Sequence, residues 1–174
     1  MLNRNDPVIA NQTLDFVSHS TGQTQRIGSR LGEMLQAGDV VLLEGPLGSG
    51  KTLLAQGIAL GLGVSDPVTS PSFTLINEYR PRDSGARLAL YHADMYRLAD
   101  AAPEALALGI EEYLYGDGVT VIEWAERAAD ILPPENLHIR LSIVSDSKRG
   151  VLMTPHGQRY SELLREFKRR AFGV

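Results

Sequence analysis

Hydrophobic and polar positions alternate along the chain with two periodicities, which predict strands and helices in turn. A first strand is predicted over residues 14–18. Ser20 followed by Gln23 has the spacing of a capping box at the start of a helix, and Gly38 is predicted to end that helix. One helical face is formed by Thr24, Ile27, Leu31, Met34 and Leu35.

The rest of the chain continues the alternation. An apolar run predicts a strand that begins at residue 40, and a glycine-rich loop then leads into a helix that fades near residues 61–63. The later elements are predicted as strands over 73–79 and 87–92 joined by a turn at 83–85, helices over 102–108 and 110–114, and a buried strand over 119–122 that ends at Glu123. Strands over 137–144 and 151–154 and a helix over 158–170 close the chain.

The glycine-rich loop after the apolar run carries the strongest chemical signal. Gly45, Gly50, Lys51 and Thr52 satisfy the pattern G-x-x-x-x-G-K-[ST] between a predicted strand and a predicted helix. Glycines let successive backbone N–H groups point inward at phosphates, and the helix start adds its own N–H groups and dipole. Lys51 is predicted to reach the β- and γ-phosphates, and Thr52 to offer its hydroxyl to Mg²⁺.

These elements predict an α/β fold in a single domain over residues 1–174, with residues 1–10 as a flexible N-terminus. We expect a three-layer phosphate-loop NTPase-like domain. Its central sheet is mainly parallel and is joined by an antiparallel hairpin and by a C-terminal β-hairpin plus helix. Ligands of such sheets bind beyond the carboxyl ends of the strands, where Gly45, Asp94 and Glu123 would lie.

Composition narrows the function classes. Apolar residues make up 43% and charged residues 22% of the chain, which is ordinary for a globular protein, and the absence of cysteine excludes disulfides and thiolate metal sites. Without a membrane-length apolar run or a signal-peptide pattern, we expect a cytoplasmic protein with no membrane association. The net charge of −4 argues against a surface that grips nucleic acid throughout. The basic residues between 165 and 170 are interpreted as a solvated helix end, with nucleic-acid or partner contact as the alternative.

Two carboxylates are candidates to complete the site. Glu123 ends a buried strand and is predicted to share Mg²⁺ with Thr52. Asp94 could orient the attacking water, accept its proton or bind Mg²⁺ through water, or it could simply cap a helix. Arg97 has phosphate contact and a structural ion pair as alternatives, while His92 is interpreted as a strand-end histidine.

Two further features have open alternatives at this point. Residues 70–74 form a hydroxyl-rich loop that could sense a γ-phosphate, or could be a plain loop with local hydroxyl turns. Trp124 could be a core residue, or a platform near the site or at an interface.

Four segments in the same order and at similar spacing resemble the bacterial TsaE family, from about residue 20 to residue 157. They are G-P-L-G-S-G-K-T (45–52), V-T-S-P-S-F-T-L (68–75), Y-H-A-D-M-Y-R-L (91–98) and V-I-E-W-A-E-R (121–127). The first segment is common to many nucleotide-binding proteins, whereas the other three in this order are specific. Pro46, Leu53 and Ser72 depart from the family's usual residues, but none of these departures removes a metal or phosphate ligand.

The resemblance implies an ATPase that takes part in forming N6-threonylcarbamoyladenosine in tRNA together with TsaB and TsaD, with ATP and Mg²⁺ as ligands. By similarity, Asp94 and Lys51 are catalytic, Thr52 and Glu123 hold Mg²⁺, residues 70–74 are a switch-like loop and Trp124 is the family's tryptophan. Thr21, in the polar start of the first helix, lies where family members approach the adenine, and Arg149 in the closing hairpin aligns with a basic residue that reaches the nucleotide. The ATP-binding residues are then Gly45, Leu47, Gly48, Ser49, Gly50, Lys51, Thr52, Thr21 and Arg149.

Two other functions stay open. A small-molecule kinase would use Asp94 as the base for a substrate hydroxyl, but no segment is long enough for the arginine-bearing lid that such kinases need. A nucleotide-gated, non-enzymatic binding module is the other alternative. A GTPase is disfavoured, because the guanine motif N-K-x-D needs Asn before Lys and the three lysines follow Gly50, Ser147 and Phe167.

Overall fold

The computed structural model describes residues 12–71 and 74–173. The strands are β1 Leu14–Ser18, β2 Val40–Glu44, β3 Ile76–Tyr79, β4 Leu90–Asp94, β5 Val119–Glu123, β6 Asn136–Ile143 and β7 Arg149–His156. The helices are α1 Thr21–Gly32, α2 Lys51–Leu62, α3 Pro81–Ser84, α4 Ala101–Ala107, α5 Ile110–Leu114 and α6 Gln158–Phe172, with a 3₁₀ helix at Ala125–Ile131. The predicted flexible N-terminus, residues 1–10, lies outside the described residues.

The described strands form one seven-stranded sheet in the order β1-β7-β6-β2-β5-β4-β3. The four inner strands β6, β2, β5 and β4 run parallel, whereas β3 pairs antiparallel with β4, and β7 pairs antiparallel with β6 and β1. The predicted α/β class, the mainly parallel sheet centre and the two hairpins are therefore confirmed. The carboxyl ends of β2, β4 and β5 meet at one edge of the sheet, where ligands of such folds bind.

Two hydrophobic clusters lie on the two faces of the sheet, and β2 contributes alternately to both. Val41 and Leu43 belong to the cluster formed with α1, α2 and α6, while Val40 and Leu42 belong to the cluster formed with α4, α5 and the 3₁₀ helix. Successive side chains of a strand point to opposite faces, so a continuous apolar run is what a strand covered on both sides requires. The predicted three layers follow from this burial.

Helices α1 and α2 pack with their backbones unusually close, through glycines spaced four residues apart. A Cβ atom added at Gly28 would lie 2.5 Å from the Leu54 carbonyl oxygen, and one added at Gly57 would lie 2.3 Å from the Gln25 carbonyl oxygen. Gly32 and Gly61 repeat this contact one turn further along. Since α2 begins at Lys51, this contact also sets the position of the residues that follow the glycine-rich loop.

Helix α1 starts as predicted but ends earlier. The Ser20 hydroxyl accepts the Gln23 N–H at 3.1 Å, and the Gln23 side-chain oxygen accepts the His19 N–H at 2.7 Å, which confirms the capping signal. The helix ends at Gly32 rather than at Gly38. Gly38 instead lies in the turn before β2, where its N–H donates to the Gly118 carbonyl.

The strands of the β3–β4 hairpin begin later than predicted, and the connection between them is longer. Residues 83–85 belong to or follow the short helix α3, and β4 begins at Leu90 rather than at Arg87. The Arg87 guanidinium donates to the carbonyls of Gly32 and Leu35, and its backbone N–H donates to Leu62, so it closes the ends of α1 and α2 instead of pairing with β3. Phe73, predicted as the first residue of this hairpin, lies outside the described residues. Within residues 12–71 and 74–173, no helix has both the length and the apolar character needed to cross a membrane.

Candidate nucleotide-binding site

The glycine-rich loop, residues 45–50, connects β2 to α2 and depends on glycine at both ends. Gly45 has a φ of 148°, and a Cβ atom there would lie 2.4 Å from the Leu141 carbonyl oxygen of β6. Gly50 is the N-cap of α2 with a φ of 99°, in the left-handed region that favours glycine, and makes no side-chain cap. Glycine has no side chain to cap the first N–H groups of α2, and uncapped N–H groups at a helix start are suited to binding an anion.

The Lys51 ammonium is held by the loop itself. Its Nζ donates to the carbonyl oxygens of Gly45 at 2.6 Å and Pro46 at 3.0 Å, and it lies 4.1 Å from the ring centroid of Trp124. Burial lowers the pKa of Lys51, while the nearby carboxylates, with Glu123 the strongest, oppose that shift. A polyanion bound in the loop would favour the charged ammonium, because its negative charge would offset the loss of solvation that burial causes.

Thr52, Glu123 and His92 form a chain of contacts that leads from the cleft at α2 into the buried strand β4. The Thr52 hydroxyl donates to the two carboxylate oxygens of Glu123 at 2.9 and 3.0 Å, and Glu123 Oε1 lies 2.8 Å from His92 Nε2. Glu123 is 3% exposed and His92 is fully buried. A buried carboxylate beside a hydroxyl oxygen is a pair of hard oxygen ligands, the kind that Mg²⁺ prefers.

This donor pair fits Mg²⁺ only together with a phosphate ligand. No cluster of three or more His, Cys, Asp or Glu side chains able to hold a metal occurs within the described ranges 12–71 and 74–173. Mg²⁺ in nucleotide sites takes one or two protein ligands and completes its shell with phosphate oxygens and water. The residues present therefore fit a nucleotide-dependent magnesium ion rather than a resident structural metal.

Asp94 lies directly opposite Glu123 in the β4–β5 ladder and connects to the loop that follows α2. Its Oδ2 accepts the Ser70 hydroxyl at 2.6 Å, and its Oδ1 accepts the Tyr96 N–H at 2.8 Å. The helix-cap alternative is wrong, because α4 begins seven residues later with Asp100 as its N-cap. Ser70 thus brings the hydroxyl-rich loop into contact with the acidic side of the site; Ser72 and Phe73 lie outside the described residues.

These groups surround one cleft of about 450 Å³ at the carboxyl edge of the sheet. The lining residues come from the glycine-rich loop and α2, from the loop after α2, and from the ends of β4 and β5. They are Leu47, Gly48, Gly50, Lys51, Thr52, Leu53, Ser70, Pro71, Asp94, Tyr96, Arg97, Glu123 and Trp124. The cleft combines backbone donors, a lysine and two carboxylates in one place, which is the donor set that a metal-bound polyphosphate requires.

A family model described as "Threonylcarbamoyl adenosine biosynthesis protein TsaE" matches residues 18–151. The chain belongs to the TsaE family. It is 44% identical over 135 residues to the tRNA threonylcarbamoyladenosine biosynthesis protein TsaE of Treponema pallidum, an alignment that covers 78% of this chain and 96% of that protein. The Bacillus subtilis protein of the same name is 40% identical over 147 residues, covering 84% of this chain and 89% of the relative.

The fold of this TsaE family member agrees with that of a solved relative. The structure titled "Crystal structure of Bacillus subtilus YdiB" superposes with a TM-score of 0.78 at 34% identity, covering 91% of this chain and 96% of that one. The family resemblance inferred from the four sequence segments is thereby confirmed. The names of the family and of its relatives place them in the biosynthesis of tRNA threonylcarbamoyladenosine.

The fold brings most of the predicted TsaE site residues together. Leu47, Gly48, Gly50, Lys51, Thr52, Asp94 and Glu123 all line the cleft. Ser49 is fully buried within the loop, and the Gly45 carbonyl accepts a hydrogen bond from Lys51. Thr21 is exposed at the first residue of α1 and is not among the lining residues, and Arg149 donates to the Gly48 carbonyl at 3.1 Å rather than facing the cleft. Their roles toward a nucleotide stay predictions.

Trp124 lies beside two residues that the sequence did not single out, Tyr96 and Arg127. Trp124 is half-buried and adopts a φ of 56°, and its ring lies 4.8 Å from that of Tyr96. It packs against the core cluster beside α4 and α5 and also lines the cleft, so it combines the two predicted positions. The guanidinium of Arg127 donates to the carbonyls of Tyr96 and Leu98 and thereby holds the loop after β4. Tyr96 and Arg127 both lie inside the segments that carry the TsaE resemblance, which was the available signal for them.

Proposed function

We propose that this chain is the ATP-binding and ATP-hydrolysing subunit required to form N6-threonylcarbamoyladenosine in tRNA. It would act in the cytoplasm with TsaB and TsaD, and would drive or reset their complex rather than perform the modifying chemistry. The observation that carries the proposal is the direct contact between Thr52 and Glu123 beside the glycine-rich loop in a chain of the TsaE family. Contact with tRNA would then be made through the complex.

In this proposal the loop binds the phosphates and Lys51 changes partners. The backbone N–H groups of the loop and of the start of α2 would donate to phosphate oxygens, and Lys51 would exchange the carbonyls of Gly45 and Pro46 for the β- and γ-phosphates. Thr52 and Glu123 would hold Mg²⁺, which when bound neutralises the charge of the phosphate chain during phosphoryl transfer.

Asp94 is the candidate for the residue that acts on the attacking water. Its Oδ2 accepts a hydrogen bond from the Ser70 hydroxyl at 2.6 Å, so the carboxylate is oriented to accept from a hydroxyl group on this side of the cleft. A water molecule that replaced the Ser70 hydroxyl would be oriented in the same way. Rotation of Ser70 away from Asp94 would also couple the hydroxyl-rich loop to the state of the nucleotide.

We expect the isolated chain to hydrolyse ATP slowly and its partners to accelerate it. A cation placed against the transferring phosphate by a second protein can change the rate by roughly 10³-fold or more. Steady-state turnover should therefore rise when TsaB and TsaD are added to the purified chain. Equal rates for the free and the assembled protein would contradict this expectation.

The central test is Lys51→Ala, with Lys168→Ala on α6 as a matched control that removes another of the three lysines. Lys51→Ala should abolish ATP turnover in the reconstituted complex and should also abolish threonylcarbamoyladenosine in cellular tRNA, measured by mass spectrometry of nucleosides. Lys168→Ala should leave both intact. Normal tRNA modification in cells that carry Lys51→Ala, with turnover lost, would refute the coupling of hydrolysis to modification.

The contact between Ser70 and Asp94 also suits a small-molecule kinase, in which Asp94 would accept the proton of a substrate hydroxyl. Product analysis separates the two functions, since a kinase would transfer the γ-phosphate to a metabolite while an ATPase would release inorganic phosphate. A single-turnover measurement with and without partners tests the remaining alternative, a nucleotide-gated module without catalysis. Absence of hydrolysis in both conditions would favour the module.

A further inference from the structure

His92 is the most deeply buried ionisable residue beside the site among the described residues, and its ring makes a single side-chain hydrogen bond there. Its Nε2 lies 2.8 Å from Glu123 Oε1, while its Nδ1 is buried without a hydrogen-bond partner among the described residues. The ring is fully buried on the inner strand β4. Within the described residues, the hydrogen bond to Glu123 is therefore the one polar interaction of this ring.

The contact with Glu123 sets the hydrogen-bonding role of the ring. An ionised carboxylate only accepts hydrogen bonds, so the Nε2 that faces it acts as the donor. The ring therefore orients Glu123 Oε1 through one N–H group, while its other nitrogen has no hydrogen-bond partner among the described residues.

We infer that His92 is a positioning residue, which holds the Glu123 carboxylate in the orientation that binds Mg²⁺. This rests on the proposed function. Two side chains donate to Glu123 among the described residues, and one of them, Thr52, is itself a proposed metal ligand. Of these two donors, His92 is the one that holds Oε1 without also being a proposed ligand of the ion. Donors that orient a ligating carboxylate typically account for about 10-fold to 100-fold in metal affinity.

The sheet makes this contact rigid. In the parallel β4–β5 ladder His92 lies opposite Val121, and Asp94 lies opposite Glu123, so His92 reaches diagonally along the strand to the carboxylate. Residues two apart on a strand share a face, so His92 and Asp94 are on the same side of β4. The same strand therefore sets the orientation of both acidic groups of the site.

The chain offers a close control for this contact. His138 on β6 lies 2.8 Å from the carboxylate of Glu44 at the end of β2, so it forms the same kind of pair at the same sheet edge. Both partners of that pair are 25% exposed, and Glu44 also contacts Arg140. His138→Leu removes a histidine from a carboxylate without touching Glu123.

The test separates metal affinity from nucleotide affinity. Binding of Mn²⁺ to the protein–ADP complex is followed by electron paramagnetic resonance, and binding of ADP in the presence of EDTA is followed by calorimetry, at ADP concentrations that saturate each variant. His92→Leu should weaken Mn²⁺ binding by about 10-fold or more and leave ADP binding in EDTA unchanged. His92→Gln, which returns an N–H near the position of Nε2, should restore most of the Mn²⁺ affinity, and His138→Leu should behave as the wild type.

Normal Mn²⁺ affinity in His92→Leu would overturn the inference, and so would an equal loss of ADP affinity in EDTA, because that pattern reports general damage to the loop. If His92→Leu fails to fold by circular dichroism, His92→Asn replaces it, since Asn is polar but too short to reach Glu123, and the same loss of Mn²⁺ affinity is expected. A wild-type chain that does not bind ADP would refute the proposed nucleotide function itself. A wild type that binds ADP and Mn²⁺, beside a His92→Leu variant that does so equally well, would refute only the role of His92.

Discussion

The close contact between α1 and α2 predicts that one added methyl group destabilises the protein. In Gly28→Ala the new Cβ would lie 2.5 Å from the Leu54 carbonyl oxygen and 2.9 Å from both the Gly57 Cα and the Ile58 nitrogen. All three atoms are backbone of α2, so no side chain can rotate away. The helices must instead separate by about 1 Å at this point, since ordinary contacts of a Cβ begin near 3.4 Å.

Two opposing effects set the size of the change. Alanine is favoured over glycine within a helix by about 1 kcal/mol, which alone would stabilise α1. Overpacking a close contact costs about 1–3 kcal/mol, and forced movement of a whole helix lies at the upper end of that range. We therefore expect Gly28→Ala to lower the free energy of unfolding by about 1–2 kcal/mol in balance.

Urea denaturation followed by circular dichroism measures this change, and Gly22→Ala is its matched control. Gly22 lies in the same helix, but an added Cβ there would meet only the Arg26 side chain at 3.4 Å and the Ser20 hydroxyl at 4.0 Å. That variant should be unchanged or more stable by up to about 1 kcal/mol. If Gly28→Ala were as stable as Gly22→Ala, the close packing of α1 on α2 would be refuted. A real displacement of α2 should also weaken ADP binding, because Lys51 begins that helix.

Three further predictions follow from charged and phenolic groups. Burial, and then the hydrogen bond to Asp117, raise the pKa of Tyr91 from 10.0 to about 12, so the phenol of the folded protein stays protonated at pH values where that of the unfolded chain ionises. The free energy of unfolding that this difference contributes is present below pH 10 and should be lost between pH 10 and about 12. Urea midpoints measured across this range should fall less for Tyr91→Phe than for the wild type. Arg159 donates two hydrogen bonds to the buried carboxylate of Asp39, so Arg159→Met should lower the free energy of unfolding by about 2–3 kcal/mol in urea titrations; a loss under half of that would mean that solvent replaces the arginine. The lysine of Arg127→Lys lacks the planar fork that donates to the carbonyls of Tyr96 and Leu98. This variant should reduce ATP turnover by roughly 10-fold or more in a steady-state assay, with an unchanged thermal midpoint. Turnover equal to that of the wild type would show that these two hydrogen bonds are dispensable.

Local patterns sufficed for the elements and for the loop. The Ser20–Gln23 spacing predicted the start of α1 because a capping box is satisfied within four residues. The apolar run from Val40 predicted a strand that is buried on both faces, which the two clusters confirm. The pattern from Gly45 to Thr52 predicted a strand–loop–helix unit, and the fold contains it between β2 and α2.

Contacts between distant parts of the chain explain what local patterns missed. Gly38 has the properties of a residue that ends a helix, but α1 ends at Gly32. The carbonyl of Gly32 accepts a hydrogen bond from the guanidinium of Arg87, which is 55 residues away in the sequence. From the sequence, a helix cap and a functional role were equally good interpretations of Asp94. The structure places Asp94 in the cleft, in contact with Ser70, which is 24 residues away in the sequence. The 3₁₀ helix Ala125–Ile131 was not predicted. Short helices of this kind have weak sequence signals and depend on what they pack against.

The sequence by itself determined the order of strands and helices along the chain and the place of the glycine-rich loop between β2 and α2. The glycines, lysine and hydroxyl of that loop also predict a phosphate ligand, which stays a prediction. Only the tertiary structure decided which acids and which histidine share that site. The sheet order places β5 between β2 and β4, which brings Glu123 to Thr52 and to His92 across 71 and 31 residues of chain. The physical reason is that periodicity reports which face of an element is buried, whereas the neighbour that buries it is chosen by packing over the whole domain.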